Sequence, residues 1–204
     1  MDDFSLLERW RAGDVDAGNE LFERHFDSIQ RFFSNKVPLD PLDLVQRTFL
    51  ACVESRDRFR NQSSFRTFLF AIAHHELMAY WRREARKSWD PSAQSVLDLH
   101  PSPSSLFVEA IEERTLLEAL RSIPFELQVV VELYYWEGLS APQVSEALEI
   151  PEGTVRSRLR RGLEHLKKKL QEFEHDPSEL PPTLTSLQGW ARSIGRALTD
   201  LPGC

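Results

Sequence analysis

Two clusters of basic residues lie in a chain that is acidic overall. The 204 residues carry a formal net charge of −7, yet residues 151–170 hold 7 basic and 2 acidic side chains. Residues 61–87 hold 5 basic and 2 acidic side chains, and residues 88–150 between the clusters hold 2 and 11. Cations gathered on short segments are typical of phosphate binding, although a solvated helix face gives the same count. The clusters favour nucleic acid as the ligand.

Apolar residues recur at helical spacing along most of the chain, and no segment of useful length alternates as a strand does. The helical segments are residues 4–33, 40–53, 65–86 and about 106–173. Gly13 and Gly18 are expected to interrupt the first segment. The predicted fold class is all-α, with two helical domains, a flexible linker and a C-terminal amphipathic helix.

The amino-acid composition predicts the boundaries between the two domains, the linker and the C-terminal extension. A stretch rich in proline and serine, residues 88–107, predicts a mostly extended linker. It separates a first domain, 1–87, from a second, 108–172, and leaves a C-terminal extension, 173–204. In that extension leucines and Trp190 recur at steps of three and four residues, which predicts a helix that needs a surface to cover it.

The second basic cluster has the layout of a helix–turn–helix. Ser140 and Gln143 form a capping box, Pro142 fits the first helical turn, and a second helix begins near Glu152 after a short turn. A second helix with polar and cationic residues near its start can enter a major groove, where arginine bonds guanine in bidentate fashion. A helical bundle with a basic rim would share this pattern. The candidate DNA-binding residues are Thr154, Arg156, Ser157, Arg158, Arg160 and Arg161.

The sequence around this helix–turn–helix resembles that of a known protein family. The segment "LEALRSIPFELQVVVELYYWEGLSAPQVSEALEIPEGTVRSRLRRGLEHLKKKL" resembles region four of the extracytoplasmic-function (ECF) sigma factors of the sigma-70 class. In that family this domain reads the −35 element of the promoter. The resemblance therefore implies that the six residues named above lie at the −35 DNA.

The first cluster and the helix before it resemble region two of the same family. "DLVQRTFL" is similar to the helix that docks on the clamp helices of the RNA polymerase β′ subunit. The resemblance implies contacts to core polymerase from Asp43, Val45, Gln46 and Phe49.

"RFRNQSSFRTFLFAIAHHELMAYWRREARK" is similar to the part of region two that melts and reads the −10 element. Strand opening needs aromatic and polar groups that hold an unstacked base, and cations for the separated backbones. The residues implied are Asn61, Gln62, Ser63, Ser64, Phe68, His75, Arg82, Arg83 and Arg86. The partners implied are core RNA polymerase, through the β′ clamp helices and the β flap, promoter DNA and an anti-sigma factor.

Other classes of function find little support. "AHHE", residues 73–76, offers metal ligands, but adjacent histidines on a helix point about 100° apart, whereas the two-histidine zinc motif places them four residues apart. No glycine-rich phosphate loop or nucleophile elbow is present, so we expect no enzyme activity, cofactor or metal site. A two-domain helix–turn–helix regulator that acts without polymerase core is the alternative, and a sigma-like domain that only titrates other factors is a third reading.

The sequence predicts neither a secretion signal nor a membrane-spanning segment. The start "MDDFSLLERW" has neither a basic nor an apolar signal region, and no apolar run approaches the roughly 20 residues of a membrane span. Two distant cysteines, Cys52 and Cys204, fit a reducing compartment. We therefore expect a cytoplasmic protein without membrane insertion. We also expect the two domains to close on each other when polymerase is absent.

Overall fold

The fold is helical throughout the part of the chain that can be described. The computed structural model describes residues 1–37, 40–59, 63–84, 90–92, 94–96 and 111–173. Across these residues there are eight α-helices, one 3₁₀ turn and an isolated β-bridge between Ser95 and Pro124, but no strand. The predicted all-α fold is confirmed. The predicted C-terminal amphipathic helix lies outside the described residues.

The helices fall into two groups of four. The first group is α1 (Asp3–Arg11), α2 (Val15–Ser34), α3 (Leu42–Ser55), which continues into the 3₁₀ turn Arg56–Arg58, and α4 (Phe65–Glu84). The second group is α5 (Ile111–Ser122), α6 (Phe125–Tyr135), α7 (Ala141–Leu148) and α8 (Glu152–Phe173).

Aspartates set the starts of α1 and α2. Asp2 accepts the Ser5 N–H at 2.8 Å and Asp14 accepts the Ala17 N–H at 3.2 Å, each satisfying a first-turn donor. Gly13 separates the two helices with φ 101°, as expected. The expected break at Gly18 is wrong. Gly18 is buried inside α2, where a Cβ would come within 2.6 Å of the Trp10 ring, so close packing of α1 on α2 is what requires glycine there.

Helix α4 is apolar on more than one side because it packs on both halves of the molecule. It contacts α2 and α3 in its own group and α7 in the other. The Phe70 ring lies 5.6 Å from that of Phe32 in the first group, and the Trp81 ring lies 6.4 Å from that of Phe125 in α6. A helix that is hydrophobic nearly all round must be covered on both faces.

The second half is built around the contact of α8 with α5, α6 and α7. Gly162 lets α8 approach α6 closely, since a Cβ there would come within 2.7 Å of Val131 Cγ2. Leu120, Ile123 and Leu166 are buried in the cluster that this contact forms. The close approach fixes how α8 is presented to solvent.

The two groups share one hydrophobic core among the described residues. The cluster that holds Leu69 and Leu77 of α4 continues through Val130 of α6 and Ala147 of α7. Part of the predicted linker also packs here: the Gln94 and Pro91 carbonyls accept the N–H groups of the first two residues of α6, at 2.9 and 3.0 Å. These linker residues thus cap α6 instead of extending into solvent.

Candidate nucleic-acid interface

Helices α7 and α8 form the predicted helix–turn–helix. The Ser140 backbone N–H and hydroxyl donate to Gln143 Oε1 at 2.8 and 2.9 Å, which confirms the capping box. Glu149 ends α7 in the left-handed region with φ 54°, and the Pro151 carbonyl then accepts the Thr154 N–H to open α8. This tight turn connects α7 to α8, and the two helices pack on each other.

Three arginines of α8 are exposed enough to reach a ligand. The side chains of Arg156, Arg160 and Arg161 are 74%, 77% and 50% exposed. Arg156 Nη2 lies 2.5 Å from Glu152 Oε1, and Arg160 Nε lies 4.0 Å from Glu164 Oε1. Such surface pairs one helical turn apart stabilise by only about 0.3–0.5 kcal/mol, so a phosphate or a guanine edge can displace the carboxylate.

Arg158 lies in a different environment. It donates to Glu126 of α6, and the two side chains are only 21% and 15% exposed. Arg161 Nη2 also approaches Glu126, at 3.8 Å. Arg158 therefore braces α8 against α6. The Ser157 hydroxyl donates to the Thr154 carbonyl at 2.9 Å, so these two predicted residues lie together at the start of the helix.

Three of the four predicted polymerase-binding residues, Val45, Gln46 and Phe49, line a groove between α2 and α3. Val45 and Phe49 are buried in its wall and Gln46 is exposed, while Asp43 is exposed in the first turn of α3 and does not line the groove. The groove has a volume of about 490 Å³ and is lined mainly by apolar atoms. Phe22 and Phe26 of α2 complete it, with the Phe22 and Phe49 rings 4.6 Å apart.

Three exposed apolar side chains on α3 were missed by the sequence reasoning. Leu42, Leu50 and Val53 are 38%, 59% and 39% exposed. Their spacing of eight and three residues places them on one side of the helix, outside the stripe that packs inward. The signal in the sequence was a second apolar stripe on a helix whose core stripe was already complete.

The loop before α4 is anchored by a residue that the sequence reasoning also missed. Arg11 donates to the Arg56 carbonyl, at 2.7 Å from Nη2, and to the Phe59 carbonyl. The Phe59 ring stacks on that of Phe68 with centroids 4.6 Å apart. Arg11 thus fixes the N-terminal side of the loop. The sequence gives no signal for this role, because the two carbonyls that Arg11 contacts lie 45 and 48 residues away.

The predicted −10 residues are described in part. Asn61, Gln62 and Arg86 lie outside the described residues. Ser63 is half-buried, and the Ser64 hydroxyl accepts the Thr67 N–H at 3.1 Å as the cap of α4. The remaining residues follow along α4: Phe68 is half-buried, His75 is 60% exposed, and Arg82 and Arg83 are exposed.

The interface between the two halves has a buried polar centre. Lys36, just after α2, donates to Glu132 of α6, and their side chains are 0% and 2% exposed. Asn35 and Gln128 also donate to Glu132, at 2.6 and 2.9 Å. Burial raises the pKa of Glu132 and lowers the pKa of Lys36, and the attraction between the two side chains opposes both shifts.

A second carboxylate joins the same two halves. Glu137, which follows α6 and is 3% exposed, accepts from Arg31 Nε at 3.0 Å and from Arg66 Nη2 at 2.7 Å. At the edge, His75 Nε2 lies 3.3 Å from Glu149 Oε1. Two residues of α4 on the predicted −10 side, Arg66 and His75, therefore face acidic residues of the second half.

Among the described residues, no three His, Cys, Asp or Glu side chains lie together in a way that could hold a metal ion. The rings of His74 and His75 lie 6.3 Å apart at 84° to each other. Burial, aided by nearby cations, lowers the pKa of His74 to about 4. No described helix has both the length and the apolar character that a membrane span requires.

Both halves match families of one protein class. Residues 21–87 match Sigma-70 region 2, and residues 113–166 match Sigma-70, region 4. The chain is 28% identical over 185 residues to the ECF RNA polymerase sigma-E factor of Haemophilus influenzae, covering 84% of this chain and 96% of that protein. It is 28% identical over 182 residues to the ECF RNA polymerase sigma-E factor of Escherichia coli K12, covering 84% and 95%.

Solved structures share the fold. CnrH in complex with the cytosolic domain of CnrY aligns with a TM-score of 0.62 at 23% identity, over 85% of this chain and 99% of that chain. The sigma factor RpoE in complex with the anti-sigma factor NepR from Bartonella quintana aligns with a TM-score of 0.58 at 21% identity, over 76% and 98%. A region-2 unit followed by a region-4 helix–turn–helix defines a protein of the sigma-70 class. Within that class, this chain belongs to the ECF sigma factors.

Proposed function

We propose that this chain binds core RNA polymerase and directs transcription initiation from promoters that it selects through their −10 and −35 elements. The observation that carries the proposal is the exposed cationic start of α8, held on a helix–turn–helix, in one chain with a region-2 unit that matches its family over residues 21–87. The protein supplies recognition and needs no active site of its own.

Polymerase docking is assigned to the groove between α2 and α3. Asp43 and Gln46 offer exposed polar contacts, and Val45 and Phe49 shape the apolar wall. Leu50 extends the apolar surface next to it, which is the composition expected of an interface core. The proposed partner surfaces are the β′ clamp helices for this groove and the β flap for the second half.

Recognition of the −10 element is assigned to the loop before α4 and to α4 itself. The residues are Asn61, Gln62, Ser63, Ser64, Phe68, His75, Arg82, Arg83 and Arg86. Arg82 and Arg83 are exposed and suit phosphate, while Arg11 positions the loop through Phe59 and its stacked partner Phe68. Ser64 is engaged as a helix cap, so it shapes the loop.

Recognition of the −35 element is assigned to the start of α8. Thr154, Arg156, Ser157, Arg160 and Arg161 have the position and exposure to contact DNA directly. Arg158 contributes by holding α8 on α6 through Glu126, which sets the angle at which the other side chains meet the groove.

The division into domains 1–87 and 108–172, joined by 88–107 and followed by 173–204, remains part of the proposal. So do an anti-sigma partner, a cytoplasmic location and the lack of membrane insertion. The complex of RpoE with NepR supports an anti-sigma partner by analogy, since the two chains share a fold.

A run-off transcription assay with purified core polymerase and a promoter library tests the proposal. We expect transcripts from a defined promoter set, and loss of core binding in Leu50→Asp, which places a charge on an exposed apolar side chain of α3. Val15→Asp is the matched control, because Val15 is 67% exposed on α2. Promoter binding that is equally tight and specific without core polymerase would favour the regulator alternative.

A further inference from the structure

Glu126, in the first turn of α6, faces two arginines of α8 with its two carboxylate oxygens. Oε2 accepts from Arg158 Nη2, and Oε1 lies 3.8 Å from Arg161 Nη2. The Glu126 and Arg158 side chains are half-buried, whereas half of the Arg161 side chain is exposed to solvent. One carboxylate therefore binds a half-buried arginine and also attracts a more exposed arginine three residues further along α8.

The contacts of Glu126 with the two arginines differ in kind. The contact with Arg158 is a charge-assisted hydrogen bond between half-buried groups, which fixes the position of the carboxylate. The 3.8 Å separation from Arg161 is too long for a hydrogen bond but short enough for attraction between opposite charges. Glu126 thus orients the Arg161 guanidinium without using the N–H donors that a bidentate contact with guanine needs.

The backbone of Glu126 is fixed by a turn in the predicted linker, formed by residues 90–92 and 94 and named here the linker turn. The Pro91 carbonyl accepts the Glu126 N–H at 3.0 Å, and the Gln94 carbonyl accepts the N–H of the preceding residue of α6 at 2.9 Å. The Gln94 side chain closes the turn, because its Oε1 accepts the Asp90 N–H at 2.9 Å. The linker turn therefore holds the backbone from which the Glu126 side chain reaches α8.

An oriented arginine favours one base pair over the others. Ordering a long, flexible side chain when a complex forms lowers affinity by a factor of about 2 to 12. A guanidinium that a carboxylate already orients loses less freedom on binding. The gain applies only to the base pair whose acceptors match the fixed orientation, so it appears as selectivity at one position of the DNA.

We infer that Glu126 is a positioning residue for −35 recognition, which orients Arg161 toward one base pair, and that the linker turn holds Glu126 in place. The inference rests on the proposed function for the role of Arg161 at the −35 element. It also makes the segment between the two halves a part of −35 recognition.

Glu126→Gln separates this role from the contact with Arg158. The amide oxygen of glutamine can still accept from Arg158, but an NH₂ group replaces the second oxygen and directs a donor toward the donors of Arg161. Holoenzyme made from the full chain and core polymerase is assayed by run-off transcription on promoters that carry each base at each −35 position. We expect the preference at one position to fall by about 2- to 12-fold and the preferences elsewhere to stay unchanged.

Arg161→Ala identifies that position, because it removes the side chain that Glu126 orients. In the Arg161→Ala background, Glu126→Gln should cause no further change, since the residue through which it acts is gone. Gln94→Ala, which opens the linker turn, should lower the preference at the same position by a smaller factor. Glu152→Gln is the matched control, because it removes a carboxylate that pairs with Arg156 on the same helix and should leave that position unchanged.

An unchanged preference in Glu126→Gln would overturn the inference. So would an equal loss at every −35 position, which is the result expected if Glu126 only holds α8 on α6, or a further loss in the Arg161→Ala background. An unchanged preference in Gln94→Ala would overturn the part played by the linker turn.

The ratio of transcripts from two promoters does not depend on the fraction of protein that is folded, so a loss of stability leaves it unchanged. If Glu126→Gln gives too little transcript to measure, Gln94→Ala decides the question in the same assay. A wild-type chain without promoter-selective transcripts would overturn the proposed function and the inference together. A selective wild type whose preference survives Glu126→Gln would overturn the inference alone.

Discussion

The ion pairs of α8 and those between the two halves use the same residue types in opposite environments. Arg156 and Glu152 are 74% and 39% exposed, whereas Lys36 and Glu132 are 0% and 2% exposed. Water and salt weaken the first pair, so its arginine remains available to DNA. The second pair has no water to replace a missing partner, so both residues are committed to one arrangement. Burial therefore decides whether a cation recognises a ligand or holds the molecule together.

The largest effect is expected from Glu132→Gln on the stability of the closed protein. Loss of one member of a buried pair costs about 3–5 kcal/mol. Glu152→Gln, which breaks the exposed pair with Arg156, should change the free energy of unfolding by less than about 0.5 kcal/mol. Urea unfolding followed by circular dichroism measures both. Similar losses in the two variants would break the comparison.

The neighbouring histidines His74 and His75 of α4 test the difference between buried and exposed ionisable side chains by their effect on the pH dependence of stability. Burial lowers the pKa of His74 in the folded protein to about 4, below the ordinary histidine value of about 6.5, so the unfolded chain binds more protons between these values. Stability that is present above pH 6.5 is therefore lost as the pH falls toward 4, by roughly 2–3 kcal/mol. His74→Asn should flatten this dependence, and His75→Asn, at a 60% exposed side chain, should leave it largely intact. Unfolding midpoints between pH 4 and pH 7 decide the point.

Arg158 and Arg161 lie on the same helix but have different expected roles: Arg158 holds α8 against α6, and Arg161 contacts DNA. Arg158→Ala should lower the free energy of unfolding by about 1.5–3 kcal/mol, because it leaves the partly buried Glu126 with a weaker partner. Binding to all DNA sequences should fall together. Arg161→Ala should keep stability within about 0.5 kcal/mol and lower binding at one base position by about 1–3 kcal/mol. Thermal unfolding and binding to single-base variants of the −35 site distinguish them, and a reversed pattern would contradict the assignment.

The smallest effect is expected at the −10 loop. Arg11→Ala should reduce the discrimination between a matched and a mismatched −10 base by several-fold, near 1 kcal/mol, because the loop loses its anchor on the Arg56 and Phe59 carbonyls. The ratio of the two activities does not depend on how much protein is folded, so a general loss of stability leaves it unchanged. Arg9→Ala, which breaks an exposed pair with Asp14, is the control. Equal discrimination by Arg11→Ala and wild type would remove Arg11 from this role.

Much of this protein follows from local sequence features. Period-3.6 apolar patterns defined the helices, Ser140 and Gln143 defined the start of α7, and Gly13 defined the break between α1 and α2. These features depend on residues only a few positions apart, so they can be predicted directly from the sequence. The exposed cations at the start of α8 belong here too, since an amphipathic helix must turn its charged side to water.

Residues of the same type differ in burial, and only the tertiary structure decided which of them are buried. Gly18 looks like a break in the sequence, but the ring of Trp10 makes it a contact inside α2. Arg158 looks like its neighbours until Glu126, 32 residues away, takes it out of solvent. Lys36 and Glu132 look like surface charges until the two halves meet, 96 residues apart. Periodicity shows which face of a helix is apolar, but the partner across an interface, which sets the local dielectric and hence the role of each charge, is fixed only when distant segments pack.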